Sequence, residues 1–168
     1  MLREGIPEDA EAIERIRVSA WQAAYKNFMP KDYLSKLNPL QHVDALREKL
    51  SKENIEFSVS VAEENGVVVA FYILGKPRYE ADVNCTELWA LNVHPDDWRK
   101  GIGQSLTERA VNEAARLGFE NIELWCIHGN IPAEATYKKA GFVPNGNKRS
   151  SSDLTGNMLH ELHYTKKL

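Results

Sequence analysis

The chain has only two cysteines, Cys85 and Cys126, in 168 residues. That is too few for a disulfide framework, and their separation offers no CxxC metal or redox motif. A bilayer span is also missing, because no run of about 18 apolar residues occurs. The opening "MLREGIPEDAEAIERI" puts charges where a secretory signal would need its apolar centre. Net charge is only −3, so no chain-wide field draws nucleic acid or anionic lipid, and any anion site has to be local. The histidines supply no HExxH-type spacing: His94 and His128 fall beside loops, while His160 and His163 point to opposite faces of one strand. These absences lead us to expect a single cytoplasmic domain over residues 1–168, with no metal, nucleic-acid partner or membrane partner.

What is present is organised by hydrophobic spacing. After a short opening strand, Ile13, Ile16, Ala20, Ala24 and Phe28 recur on one helical face. Pro7 and the acids Glu8, Asp9 and Glu11 stand near its start, where the helix dipole favours negative charge. Pro30 and Pro39 mark a less regular segment, and Val43, Leu46 and Leu50 predict a second helix within Leu40 to Leu50. The period then changes to two. "EFSVSVAEENGVVVAFYILG" predicts a hairpin turning at Asn65-Gly66, and "CTELWALNV" predicts the next strand, with Glu87, Trp89, Leu91 and Val93 on one face under simple alternation. Ile102, Leu106, Ala110, Ala114 and Leu117 predict an amphipathic helix ended by Gly118, and "NIELWCI" a strand after it. A strand, crossover helix and strand imply a parallel pair. A helix from Ile131 to Ala140, a strand after Gly141, a loop from Asn145 to Asn157 and a closing strand complete the order β-α-α-β-β-β-α-β-α-β-β.

The stretch "LNVHPDDWRKGIGQSL" places Gly101 and Gly103, with the cations Arg99 and Lys100, where the crossover helix begins. A helix start leaves about four N–H groups unpaired and carries roughly half a positive charge, and glycines let an oxygen approach those donors. Taken alone the pair also suits a plain tight turn. The GxGxxG dinucleotide pattern fails at Leu106, and GxxxxGK[ST] does not occur. The second informative stretch is "GNIPAEATYKKAGF". By itself it reads as a helix with Asn130 as N-cap, Pro132 in the first turn, Tyr137 as a core aromatic and Gly141 as the C-terminal cap.

Together the two stretches resemble the GNAT superfamily of acyl-CoA-dependent N-acyltransferases across nearly the whole chain. "WRKGIG" is similar to the family's pyrophosphate loop, Q/R-x-x-G-x-G/A, with Trp98 standing where Gln or Arg is usual. Asn130, Ala133, Tyr137, Gly141 and Phe142 match the second motif, N-x-x-A-x-x-x-Y-x-x-x-G-F. The resemblance implies an α/β (α+β) fold: a mixed, mostly antiparallel sheet of about seven strands flanked by about four helices, with a splay between the fourth and fifth strands. It implies acetyl-CoA as donor, with pantetheine along the backbone of Leu91, Asn92 and Val93 and near Asn130. The pyrophosphate would lie on the amides of Arg99, Lys100, Gly101, Ile102, Gly103 and Gln104. Trp21, Tyr25, Phe28 and Tyr33 would wall the acceptor side, each equally suited to the core.

An acyl transfer to an amine sets chemical requirements. An amine of pKa about 10.4 is only about one part in 2,500 free base near pH 7, so a base or water relay is useful. Glu87 is the candidate base, with an exposed strand-edge carboxylate as its plainer reading. A strand N–H can stabilise the tetrahedral oxyanion without metal. By the family pattern Tyr137 protonates the departing thiolate. The expected activity is acetyl transfer from acetyl-CoA to a primary amine of a small molecule by direct attack. The alternatives are a protein N-terminal or lysine acetyltransferase, or an acyl-CoA-binding sensor without turnover. The last strands offer a surface for a homodimer.

Overall fold

The computed structural model describes residues 1–52, 57–79 and 84–168. The strands are β1 (Leu2–Glu4), β2 (Phe57–Glu64), β3 (Val67–Gly75), β4 (Cys85–Val93), β5 (Asn121–Ile127), β6 (Val143–Ser151) and β7 (Leu159–Lys167). The helices are α1 (Ala10–Ala24), α2 (Lys31–Ser35), α3 (Val43–Leu50), α4 (Ile102–Arg116) and α5 (Ile131–Lys139). The strands form one seven-stranded sheet in the order β1-β2-β3-β4-β5-β7-β6, in which only β4 and β5 run parallel. The crossover through α4 accounts for that pair.

Two layers of side chains hold the helices to the sheet. Ile13 and Ile16 of α1 pack on Val59, Val61 and Phe71, joined by Leu46 and Leu50 of α3. On the opposite face Leu106, Ala110 and Ala114 of α4 meet Tyr72, Leu74, Ile122, Leu124 and Tyr164. At the start of the chain Arg3 bridges Asp9 and Glu63 at 2.7 and 2.8 Å, tying β1 and the turn before α1 to β2. The β2–β3 turn has the expected form, with φ of 52° at Asn65 and 80° at Gly66, as a two-residue I′ turn requires.

Four expectations change. α1 stops at Ala24, so Phe28 lies beyond it, and a short α2 forms after Pro30 in the segment read as irregular. α3 starts at Val43 rather than Leu40. Leu117, placed on the apolar stripe, is exposed just past the end of α4. The segment read as a loop from Asn145 is strand to Ser151, because β7 pairs with it. A shift between Pro144 and Lys148 absorbs the Asn-Gly-Asn residues.

Simple alternation also fails in β4. Ile73 pairs with Ala90 but Leu74 pairs with Leu88, so Trp89 is an extra residue in the ladder. As a result Leu88 and Leu91 both pack on the α4 side, while Ala90 packs on the α1 side. Glu87 and Trp89 share a face, as Arg78 touches both, but Leu91 is on the other side of the sheet.

Candidate active site

The bulge at Trp89 lies where the sheet opens. β4 and β5 pair over three positions, Cys85 with Asn121, Thr86 with Ile122 and Glu87 with Glu123, and then separate. A bulge bends a strand and strengthens its twist, which carries the rest of β4 away from β5. The ring of Trp89 is fixed there: it stacks on Phe57 at 6.4 Å, and its Nε1 donates to the Lys76 carbonyl at 2.9 Å. Gly75 makes room for it, since a Cβ at that position would lie 2.3 Å from two ring carbons.

Past the opening, β4 is bonded on one side only. His94 N donates to Val69 O, and the alternation of an antiparallel ladder then turns the backbone groups of Asn92 toward β3. The N–H groups of Leu91 and Val93 consequently face the cleft. The Val93 carbonyl is taken by Trp98, whose Nε1 donates to it at 2.7 Å. Trp98 therefore ties the glycine loop to the end of β4.

That loop is held in an unusual backbone shape. Arg99 has φ of 62° and Gly101 of 81°, and α4 begins directly after. The first amide to find an acceptor is Ser105 N, on Gly101 O; those of Arg99 to Gln104 have none among the described residues. Gly101 suits its positive φ. Gly103 is not required by its backbone, and a Cβ there would meet only Val93 Cγ2 at 3.7 Å, an ordinary contact. The protein's own packing leaves that space open beside six unpaired donors. Lys100 is engaged with Asp97 at 2.6 Å, which raises its pKa, whereas Arg99 is an exposed cation with no ion pair among the described residues.

The opposite wall comes from β5 and α5. Asn130 occupies the N-cap position of α5, but its side chain makes no capping bond. Glu134 reaches back instead and accepts from Gly129 N at 3.0 Å, so the Asn130 amide is left without a partner among the described residues. Tyr137, two turns on, packs edge-on against Phe142 with centroids 6.0 Å apart, and its hydroxyl has no hydrogen bond among the described residues. Burial, with Cys126 and Tyr25 nearby, holds its pKa well above the ordinary tyrosine range. Burial likewise pushes Tyr25 up to about 12. The Cys126 thiol is pushed up to about 12 by burial and by the carboxylates of Glu134 and Glu161, so it stays protonated near neutral pH and is a poor nucleophile.

Glu87 is fully buried rather than exposed. Arg78 grips it with its backbone N–H on Oε2 at 2.8 Å and its guanidinium on Oε1 at 2.5 Å. Its parallel partner Glu123 is buried as well and bonded to His163 Nε2 at 3.0 Å. The Asn145 side-chain nitrogen lies 2.6 Å from the other ring nitrogen, so the imidazole is held at both ends. Nothing in the sequence pointed to Arg78, nine residues from its partner across a connection between strands. Trp21, Tyr25, Phe28 and Tyr33 pack with Met29, Leu34, Ile127 and Leu159 at the mouth of the cleft. Among the described residues no three His, Cys, Asp or Glu side chains are grouped to hold a metal ion, and no helix is long and apolar enough to cross a membrane.

A sequence model of the acetyltransferase (GNAT) family matches residues 14–142, which include the β4–β5 cleft, the glycine loop and α5. The chain belongs to the GNAT acetyltransferase family. It is 27% identical over 162 residues to the uncharacterized N-acetyltransferase YuaI of Bacillus subtilis (strain 168), covering 96% of this chain and 89% of that protein. Over 87 residues it is 31% identical to the L-amino acid N-acyltransferase MnaT of Escherichia coli (strain K12), about half of each chain. Among solved structures it resembles an acetyltransferase, yncA, of Salmonella typhimurium determined with acetyl-CoA. The TM-score is 0.77 at 21% identity, covering 100% of this chain and 93% of that one.

Proposed function

We propose that this GNAT-family enzyme transfers the acetyl group of acetyl-CoA to a primary amine of a small molecule by direct attack. The observation that carries the donor assignment is the row of unpaired amides from Arg99 to Gln104 beside a glycine that the surrounding packing does not require. Those amides and the start of α4 suit a pyrophosphate. Pantetheine then runs along the free edge of β4, between the N–H groups of Leu91 and Val93 and the unpaired amide of Asn130. A strand N–H polarises the thioester carbonyl and stabilises the oxyanion.

The amine nitrogen bonds to the acyl carbon and the carbon–sulfur bond breaks. The amine's proton leaves through water to Glu87, since the enclosed carboxylate is out of direct reach. Tyr137 gives its phenolic proton to the departing thiolate and regains one from solvent. Its raised pKa does not prevent this: the thiolate forms in the same water-poor cleft, so burial disfavours both anions and the difference between them governs the transfer. A protonated Cys126 supports direct attack over an acyl-enzyme on that thiol. Support for a small acceptor comes from a cavity of about 400 Å³ beside α1, within the size range of ligand sites, and from the amino-acid substrate in MnaT's name.

The test is turnover of acetyl-CoA, followed by thiol release, over amines, polyamines, amino acids, aminoglycosides and peptides. Release with a small amine supports the reading. Release with peptides alone, or with no acceptor, overturns it.

A further inference from the structure

The cavity beside α1 is not used by donor binding, and its walls carry a distinct charge. Arg17 and Trp21 of α1, Tyr33 and Lys36 at α2, His42 before α3, and Leu154 from the β6–β7 connection stand around it. Its wall residue Trp21 meets Tyr25 edge-on at 5.5 Å, and Tyr25 lies near Tyr137, the residue proposed to act in the transfer. Among the described residues no Asp or Glu lines it. Lys36 has no partner among the described residues.

Arg17 is held from two sides. Glu14 accepts from its Nε at 3.1 Å and its Nη2 at 2.8 Å, and its guanidinium carbon sits 5.4 Å from the centre of the Trp21 ring. Glu14 neutralises one edge of this cation, and Nη1 is left without an acceptor among the described residues. A guanidinium fixed in this way loses little freedom when its remaining N–H groups bind an oxyanion, and the planar fork suits a carboxylate. A polyamine or aminoglycoside would instead bring several positive charges against Arg17 and Lys36.

On the reading that the cleft is an acetyl-transfer site, we propose that the acceptor is a primary amine that also carries a carboxylate or similar oxyanion. Arg17 and Lys36 hold the anion, and the amine points to the thioester. Matched acceptors test this: an amino acid, its carboxamide and its decarboxylated amine, compared by kcat/KM from thiol release. The wild type should prefer the carboxylate by about 10- to 100-fold, the range of a hydrogen bond to a charged group. Lys36→Glu, at an exposed position, should reduce that preference about tenfold or more through KM, with kcat and calorimetric CoA affinity near wild type. Arg17→Gln should abolish it. If that variant fails to fold because Glu14 is left unpaired, Lys36→Glu decides alone. Equal turnover of all three acceptors overturns the anion proposal while acetyl transfer stands. A carboxylate preference that survives Lys36→Glu overturns the assignment to this cavity. Turnover of no amine at all overturns the acetyl-transfer reading, and the proposal with it.

Discussion

On the proposed donor side of the cleft the available groups are backbone: the free edge of β4 and the amides from Arg99 to Gln104. On the proposed acceptor side they are side chains: Arg78 on Glu87 across a connection between strands, and Arg17 held by Glu14 and Trp21 along one helix. The difference follows from what each side has to recognise. A pyrophosphate and a pantetheine arm are constant, and backbone donors at a helix start serve them with any side chains outside the glycines. An acceptor differs from enzyme to enzyme within one fold, and only side chains can encode that difference.

Substitutions on the two sides should therefore fail in different ways, and the largest failure is expected on the acceptor side. Glu87→Gln keeps the shape but removes the base, and Arg78, half exposed, remains hydrated. We expect kcat to fall about 100-fold or more near neutral pH, in the range of general base catalysis, with CoA affinity unchanged. The deficit should shrink as pH rises toward the acceptor's own pKa, where free amine no longer has to be generated. A pH–rate profile checks this, and a constant ratio to wild type at every pH would remove Glu87 from proton transfer.

Gly103→Val is the donor-side counterpart. The added atoms enter space that only Val93 borders, so the fold should persist while CoA affinity falls by about tenfold or more. Calorimetry measures it, and unchanged affinity in a folded variant would sever the loop from the pyrophosphate. Gly75→Ala acts on the bulge that separates the two sides. A Cβ at 2.3 Å from the Trp89 ring should displace it and lower stability by about 1–3 kcal/mol, read by denaturant unfolding. Trp98→Phe should have the smallest effect. Losing the bond to the Val93 carbonyl removes about 0.5–1.5 kcal/mol of anchoring, so CoA affinity should fall by about two- to tenfold.

The same contrast explains what could be read in the sequence. The glycine loop and α5 were legible as structure because their determinants are local: two glycines at a helix start, and Asn130 and Tyr137 two turns apart on α5. The mixed sheet of about seven strands and the β4–β5 splay were implied by the family resemblance, and the parallel pair by the crossover through α4. The bulge was not legible, because the β4 residues alternate convincingly and the extra residue depends on Trp89 finding space over Gly75. The extension of β6 past Asn145 was hidden for a related reason. Its Asn, Gly and Ser residues favour a loop, and pairing with β7 overrides that preference. The Asn130 side chain reads equally well as a helix cap, and only the structure shows that it makes no capping bond. Arg78 is an ordinary surface cation in sequence, and its partner across a strand connection is set by folding.

Both sides meet at Tyr137, whose hydroxyl has no hydrogen bond among the described residues and whose ring would be retained by phenylalanine. Tyr137→Phe, with kcat measured at saturating acceptor and acetyl-CoA affinity measured on the same folded variant, tests the transfer step most directly. The expected result is a kcat lower by about one to three orders of magnitude with affinity changed less than about tenfold. Because burial keeps the phenol protonated beyond the ordinary tyrosine range, the wild-type rate should not decline below about pH 10 through loss of this proton. A Tyr137→Phe enzyme with wild-type kcat would contradict the acid role and leave Tyr137 as packing.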